Sequence, residues 1–293
     1  MDPFPVPGRA PAAVAVAAPR PGPLSWSGAP SAALEDGGGI ALAYRRRVTE
    51  QGLAVTVLAR SDDGERFETV AELDKTRFDA HSLERPALVR TETGRWRLYV
   101  SCASADWPAS KHWWIDVMEA DTLEALAEAP ARAVLPGDPA TLAVKDPVVR
   151  RGPGGWTAWV CCHPLDVEGA EDRMTTALAT SPDGLDWRWR GTVMAPRPGT
   201  WDARGTRVTA VLADGRAAYD GRASAAENFG ERTGLATPGP GGVPGSLAQA
   251  GDGPVSDARY LDVLALPGHG YRLYYEAPLP DGSHELRTEL AGA

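Results

Sequence analysis

Two stretches of this chain follow one plan: "ERPALVRTETGRWRLYVSCAS" (residues 84–104) and "KDPVVRRGPGGWTAWVCCH" (residues 145–163). Each opens with charge and a Pro, passes through an apolar run, turns at Gly, meets Trp and enters a second apolar run. Paired apolar runs around a Gly-containing turn are the signature of a β-hairpin. Residues 29–46, "APSAALEDGGGIALAYRR", 201–222, "WDARGTRVTAVLADGRAAYDGR", and 257–276, "DARYLDVLALPGHGYRLYYE", repeat the plan. Marked at Pro30, Pro86, Pro147, Asp202 and Asp257, the copies are 56, 61, 55 and 55 residues apart.

The stretches between copies also agree. "ARSDDGERFETVAEL" (59–73) and "ATSPDGLDWRWRGTVM" (179–194) share Ser-x-Asp-Gly and read as a third strand, a tight Asp-Gly turn and a fourth strand. Four strands in each of five units, with almost no amphipathic helical period, predict an all-β fold. The expected architecture is a five-bladed β-propeller of four-stranded antiparallel blades around a central channel. The rival is a two-sheet sandwich, whose strands do not normally come in sets of four at a near-constant period. The Pro/Gly-rich stretch 236–257 is the least strand-like, so the fourth blade is expected to be irregular there. Residues near 24–29 are expected to form a strand that helps close the ring against the fifth blade, removing exposed edges.

Composition narrows the partners. Lys+Arg of 30 against Asp+Glu of 39 gives a net charge of −9, which argues against nucleic acid and anionic membranes. No apolar run approaches the roughly 20 residues that a membrane span needs. Cys102, Cys161 and Cys162 are an odd set with an adjacent pair, which does not read as a disulfide framework and fits a reducing cytoplasm. Residues 1–23 carry an "AAVAVAA" core behind a Pro-rich leader. They read as a Pro/Ala-rich tail, disordered or extended, rather than a signal peptide, with one domain spanning 24–293.

In a propeller the innermost strands run parallel around the channel, so their starting ends share one face with the ends of the returning second strands. The starts supply Glu84, Arg85, Lys145, Asp146, Asp202, Arg204, Asp257 and Arg259. The returning ends supply Tyr44, Arg45, Cys162, His163, Asp220, Arg222 and Glu276. A funnel of carboxylates and guanidiniums suits a small-molecule carbohydrate, because carboxylates accept from hydroxyls and Arg donates to ring oxygens. Trp107, Trp113, Trp114 and Trp201 are candidate sugar-stacking faces. "GGGI" (37–40) falls in a hairpin turn and not at a strand-to-helix junction, so it is no dinucleotide fingerprint. Cys162 and His163 are adjacent, which on a strand sends them to opposite faces. No cofactor and no metal is expected.

Over residues 25–290 the pattern resembles the five-bladed-propeller glycoside hydrolases: the arabinanase/β-xylosidase, invertase/levansucrase and mannoside-phosphorylase groups. The blade period, "KDP" at 145–147, "ERP" at 84–86 and the Ser-x-Asp-Gly turns carry the resemblance. It implies three acids on the inner strands of blades one, three and four. Asp146 matches the blade-three acid, which stabilises the transition state and tunes its neighbour; the blade-four position falls at Asp202. The blade-one Asp should precede Pro30, where this chain has Ala29, so that Glu84 or Glu276 takes the role or the usual mechanism is not used. In some relatives a central His helps hold a cation; His284 is the candidate here, but with one His and no acidic metal spacing no metal is expected. Glycosidic cleavage needs one protonated carboxyl and one carboxylate, about 5–5.5 Å apart for retention and about 6.5–9.5 Å for inversion.

The expectation is therefore a glycosidase with Asp146, Asp202 and Glu276 catalytic. Glu84, Arg85, Arg204, Asp220, Arg222, Asp257, Arg259 and His163 are expected to bind the substrate. A glycoside phosphorylase using basic residues of the mouth, a catalytically inactive sugar-binding propeller and a protein-binding scaffold are the alternatives.

Overall fold

Gly-centred turns divide the chain into short strands. The computed structural model describes residues 3–240, 245–268 and 270–292. In chain order the strands are β1 (Ala13–Val16), β2 (Ser25–Leu34), β3 (Ile40–Val48), β4 (Leu53–Ser61) and β5 (Glu68–Asp74). There follow β6 (Ala80–Leu83), β7 (Ala87–Arg90), β8 (Trp96–Ser104), β9 (Trp113–Ala120) and β10 (Arg132–Leu135). Next come β11 (Leu142–Gly152), β12 (Gly155–Pro164), β13 (Thr175–Ser181) and β14 (Arg188–Met194). The last are β15 (Gly205–Val211), β16 (Ala217–Arg222), β17 (Arg232–Pro238), β18 (Leu247–Ala250), β19 (Arg259–Leu266), β20 (Gly270–Pro278) and β21 (His284–Ala291).

The strands pair antiparallel with their sequence neighbours into four-stranded sheets: β2–β5, β11–β14 and β15–β18. Between the first two of these, β8, β9 and β10 pair in turn, with β6 and β7 both against β8. The gap between β6 and β7 is Glu84–Pro86, where Pro86 has no N–H to give a ladder. The strands β19, β20 and β21 form the last group, and β1 adds to β21 antiparallel. One parallel pair, Trp26 with His284, joins this group to β2. Among the described residues no hydrogen-bonded sheet closes on itself, and no helix is long and apolar enough to cross a membrane.

The first strand of each group touches that of the next: β2 meets β7, β7 meets β11, β11 meets β15, β15 meets β19, and β19 meets β2. The apolar cores lie between the groups. Leu58 and Leu73 pack with Leu88 and Leu98; Tyr99 and Ile115 with Val149 and Val160; Trp159 and Leu178 with Val208 and Tyr219. Ala210 and Leu212 pack with Leu261 and Leu273, and Leu42 and Val57 with Tyr274 and Leu286.

The Ser-x-Asp-Gly turns are near-copies. Ser61 Oγ accepts from Gly64 N–H at 2.8 Å, and Ser181 Oγ from Gly184 N–H at 2.9 Å. Asp63 and Asp183 each accept two backbone N–H groups, which holds both carboxyls well below the usual range. The connections span residues 62–67 and 182–187, longer than the tight Asp-Gly turn expected from sequence. Each turn docks on a tyrosine of an adjacent group: Gly64 O accepts from Tyr274 at 2.9 Å, and Gly184 O from Tyr99 at 2.6 Å.

The N-terminal tail is extended rather than disordered. Phe4 and Val6 are buried beside Leu261 and Leu273, and Gly8 N–H donates to Glu289 Oε1 at 2.9 Å. Ala13–Val16 is the strand that adds to the outside of the last sheet, while residues 25–34 form the first strand of the first sheet and, as expected for residues 24–29, meet the last group through the Trp26–His284 pair. Part of the irregular 236–257 stretch is strand, in β17 and β18; residues 241–244 lie outside the described residues.

Candidate functional site

A shared irregularity builds the site. The register slips between Gly28 and Ser31 in β2, between Lys145 and Val148 in β11, and between Arg259 and Asp262 in β19. At each slip sits a non-Gly residue in the left-handed region: Ala29 (φ 52°), Asp146 (φ 50°) and Tyr260 (φ 50°). Such residues are uncommon, and a bulge re-aims the side chains beside it. Here Lys145, Arg259 and Tyr260 line a cavity of about 300 Å³, while Asp146 is fully buried and outside its lining. The cavity is also walled by Arg45 and Arg47 from β3, Glu84, His163 and Arg222, by Arg207 of β15, and by Phe229 and Glu231 of the 223–231 loop.

Beneath it runs an alternating chain of charge. Glu84 binds Arg45 and, at 3.0 Å, Arg47. Arg45 reaches Glu276 at 3.3 Å, and Glu276 meets Arg259 at 3.3 Å and His284 Nδ1 at 2.6 Å. Arg259 then reaches Glu231 at 2.9 Å, and Glu231 meets Arg222 at 3.0 Å. Alongside, Arg207 donates to Asp146 at 3.0 Å and Asp220 at 2.6 Å. Asp146 also accepts from Tyr260 at 3.3 Å and from the Arg85 backbone N–H at 3.0 Å, so both of its oxygens are engaged.

Burial pushes these carboxyls toward their neutral forms, and the cations overcome it at most of them. Arg259, Arg207 and Arg222 hold Glu231 down at about 2; Arg259, the His284 hydrogen bond and Arg45 hold Glu276 at about 2. Arg45, Lys145 and Arg47 lower Glu84, and Lys145, Arg207 and Arg45 lower Asp146. Asp220 is the exception, where burial prevails and the pKa rises. The remaining lining carboxyls, Glu171 and Asp172, are shifted down too. The cavity therefore offers ionised acceptors and cationic donors, with acids such as Asp146, Asp220 and Glu276 fully buried behind the guanidiniums.

Of the residues expected from sequence, Glu84, His163, Arg222 and Arg259 line the cavity. Asp146, Asp220 and Glu276 lie behind it, paired with Arg45, Arg207 and Arg259. The others go elsewhere. Asp202 precedes β15 and is held by Arg197 at 3.1 Å, Thr200 and Tyr219 at 2.8 Å; the β15 residue that lines the cavity is Arg207. Asp257 is exposed, because β19 begins two residues later and nothing turns it inward. Arg85 gives only its backbone N–H to this side; its guanidinium lines a different cavity. Arg204 is outside the lining and pairs with Asp172, which is in it. Among the tryptophans, Trp107 and Trp113 line the cavity, each with a lysine ammonium 4.3 Å over its ring, Lys111 and Lys145 respectively. Trp114 stacks on His112 and Trp201 on Tyr219, both outside the lining.

Arg207, Tyr260, Glu231 and Phe229 were missed. Tyr260 occupies a strand position like that of Asp146, at a register slip with left-handed backbone, a signal present in the repeat, whereas Arg207 sits in regular register opposite Asp220. Glu231 and Phe229 come from the "ENFGER" loop, which no strand rule places. Phe229 is exposed at a φ of 74°, its ring 5.2 Å from Trp26 and its carbonyl bound by Arg259 at 3.0 Å. The sulfur facing His163 is Cys161, at 3.7 Å, two residues away and so on the same face. Burial drives its thiol up to about 12 and His163 down to about 3, so at neutral pH both are uncharged and Cys161 is no nucleophile. Among the described residues no cluster of three or more His, Cys, Asp or Glu is disposed to hold a metal.

No family model matches the sequence, and no curated protein does. Solved structures do match in fold. A thermostable family-43 glycoside hydrolase aligns over 94% of this chain and 93% of its own at 12% identity, with a TM-score of 0.70. The α-L-arabinofuranosidase of Lactobacillus brevis aligns over 90% of each chain at 16% identity, with a TM-score of 0.66. The β-1,2-mannobiose phosphorylase of Listeria innocua, solved with β-1,2-mannobiose, aligns over 90% and 89% at 12% identity, with a TM-score of 0.63. The chain is glycoside hydrolase-like in fold.

Proposed function

We propose that this protein is a five-bladed propeller enzyme of the glycoside hydrolase type, acting on a small saccharide or glycoside in the cavity walled by Glu84 and Glu231. The cyclic contact of first strands and the addition of β1 to β21 support a ring of five. One observation carries the site: ionised carboxylates and guanidinium donors alternate around a cavity of about 300 Å³ that also presents the indoles of Trp107 and Trp113. That size is at the small end for ligand sites, and the donor–acceptor mix matches a polyhydroxylated ring. In this reading Glu84 and Glu231 are the carboxylates that face the sugar. They accept from its hydroxyls and stabilise positive charge developing at the anomeric carbon. Asp146 and Glu276 set the guanidiniums in place, as positioning residues.

A second reading, phosphorolysis, is favoured by the balance of charge at the cavity. Arg45, Arg47, Lys111, Lys145, Arg207, Arg222 and Arg259 line it, against Glu84, Glu171, Asp172 and Glu231. Turnover of an aryl-glycoside panel, with and without inorganic phosphate, tests both. Phosphate-independent release supports hydrolysis and phosphate-dependent release supports phosphorolysis. Saccharide binding without turnover under either condition would leave a sugar-binding protein, which Ala29 in place of the blade-one acid favours.

A further inference from the structure

The first strands that open the candidate site with their starts enclose a second cavity, of about 360 Å³, toward their ends. Its walls are Ser31–Leu34 of β2, Ala87–Arg90 of β7, Pro147–Arg151 of β11 and Asp262–Ala265 of β19, preceded by Arg85. In a protein of net charge −9 it gathers Arg85, Arg90, Arg150 and Arg151 against the single acid Asp262. Two of these cations are committed to acids outside the lining: Arg90 pairs with Asp36 at 2.6 Å and Arg151 with Glu92 at 3.2 Å. The other two are not. The Arg150 side chain makes no hydrogen bond or close ion pair among the described residues; Asp262 is the acid whose charge it feels. Arg85 is 2% exposed; its Nε donates to Pro30 O at 3.2 Å, and its Nη2 stands 3.6 Å from Asp262, beyond a normal hydrogen bond. Among the described residues its Nη1 has no hydrogen-bond partner.

A buried guanidinium N–H without an acceptor is costly, and native structures supply one. We propose that this second cavity is a binding site for a small oxyanion, a phosphate or carboxylate group, held by Arg85 and Arg150. Arg supplies paired N–H donors in the geometry such groups take. Asp262 is partly occupied and partly neutralised: its Oδ2 accepts from Ala32 N–H at 2.7 Å, and burial raises its pKa toward the neutral form. Leu88, Val149 and Val263 are among its aliphatic walls.

Calorimetric titration with phosphate, sulfate and acetate tests this, using the wild type, Arg150→Ala, Arg85→Lys and Arg47→Ala. Arg150 is exposed, so its removal leaves the fold intact. Arg150→Ala should weaken the anion about 10- to 100-fold, the loss of one charge-assisted contact, and leave any saccharide affinity unchanged. Arg85→Lys should weaken it less, since the charge remains. Arg47→Ala, at the other cavity, should not alter it. Preference for phosphate and sulfate over acetate would identify a tetrahedral ligand; the reverse would identify a carboxylate. Equal affinity in wild type and Arg150→Ala, which means an adventitious ion only, would overturn the proposal. So would no binding, or loss in Arg47→Ala alone.

Discussion

At the scale of single residues, the candidate site is governed by which side chain a bulge turns inward. Alternation along a strand identified the charged ends but not the face each one takes, and Asp146 shows why. Its left-handed backbone sends it under the cavity, where Arg207, Tyr260 and the Arg85 amide take up both oxygens. A solvated catalytic acid would tolerate replacement; Asp146 should not. Asp146→Asn leaves Arg207 with Asp220 and the Tyr260 hydroxyl but one buried carboxylate fewer, and should cost about 3 kcal/mol, near the low end for a broken buried pair, read as a shift in denaturant midpoint. His163 gives a pH signature. Its pKa is about 3 folded against about 6.5 in an unfolded chain, so between these values the unfolded state binds the extra proton. Stability therefore rises with pH across this window and is lost as pH falls through it. In His163→Asn the decline in melting temperature between pH 6.5 and 4.5 should flatten; an unchanged profile would remove His163 as its source.

At the scale of elements, the repeat was legible because its turns have fixed chemistry. Ser-x-Asp-Gly at 61–64 and 181–184 folds as written, with Gly64 and Gly184 at φ 75° and 74°, where a side chain is strained. The sequence also holds the partner of each turn, the Arg-Leu-Tyr runs at 97–99 and 272–274, but their pairing across groups belongs to the tertiary fold. Tyr99→Phe and Tyr274→Phe each remove one bond to a turn carbonyl. Each should cost about 1 kcal/mol, and the double variant their sum, since the sites are independent. Gly184→Ala should cost more than either, because its Cβ would also lie 2.8 Å from the Trp156 ring. Unequal or strongly non-additive tyrosine losses would show that the two locks are not copies.

At the scale of the whole molecule, the all-β class followed from the period of the repeat, while the N-terminal segment read only as disordered or extended, because its Pro/Ala composition carries no strand pattern. Its order is tertiary: Phe4 and Val6 enter a core and Ala13–Val16 extends the last sheet. Removing residues 1–17 should therefore cost at least about 3 kcal/mol from two buried side chains and lower the melting temperature; a silent truncation would contradict that packing. The loop carrying Glu231 was equally opaque, since its place depends on Arg222 and Arg259 from two different groups. That loop holds the central claim, that the cavity processes a saccharide with Glu231 facing it. The most direct measurement is turnover of an accepted aryl glycoside by wild type and by Glu231→Gln, with circular dichroism verifying that both are folded. A folded Glu231→Gln variant slowed by roughly two to four orders of magnitude is the predicted result. Equal rates in the two proteins would contradict it.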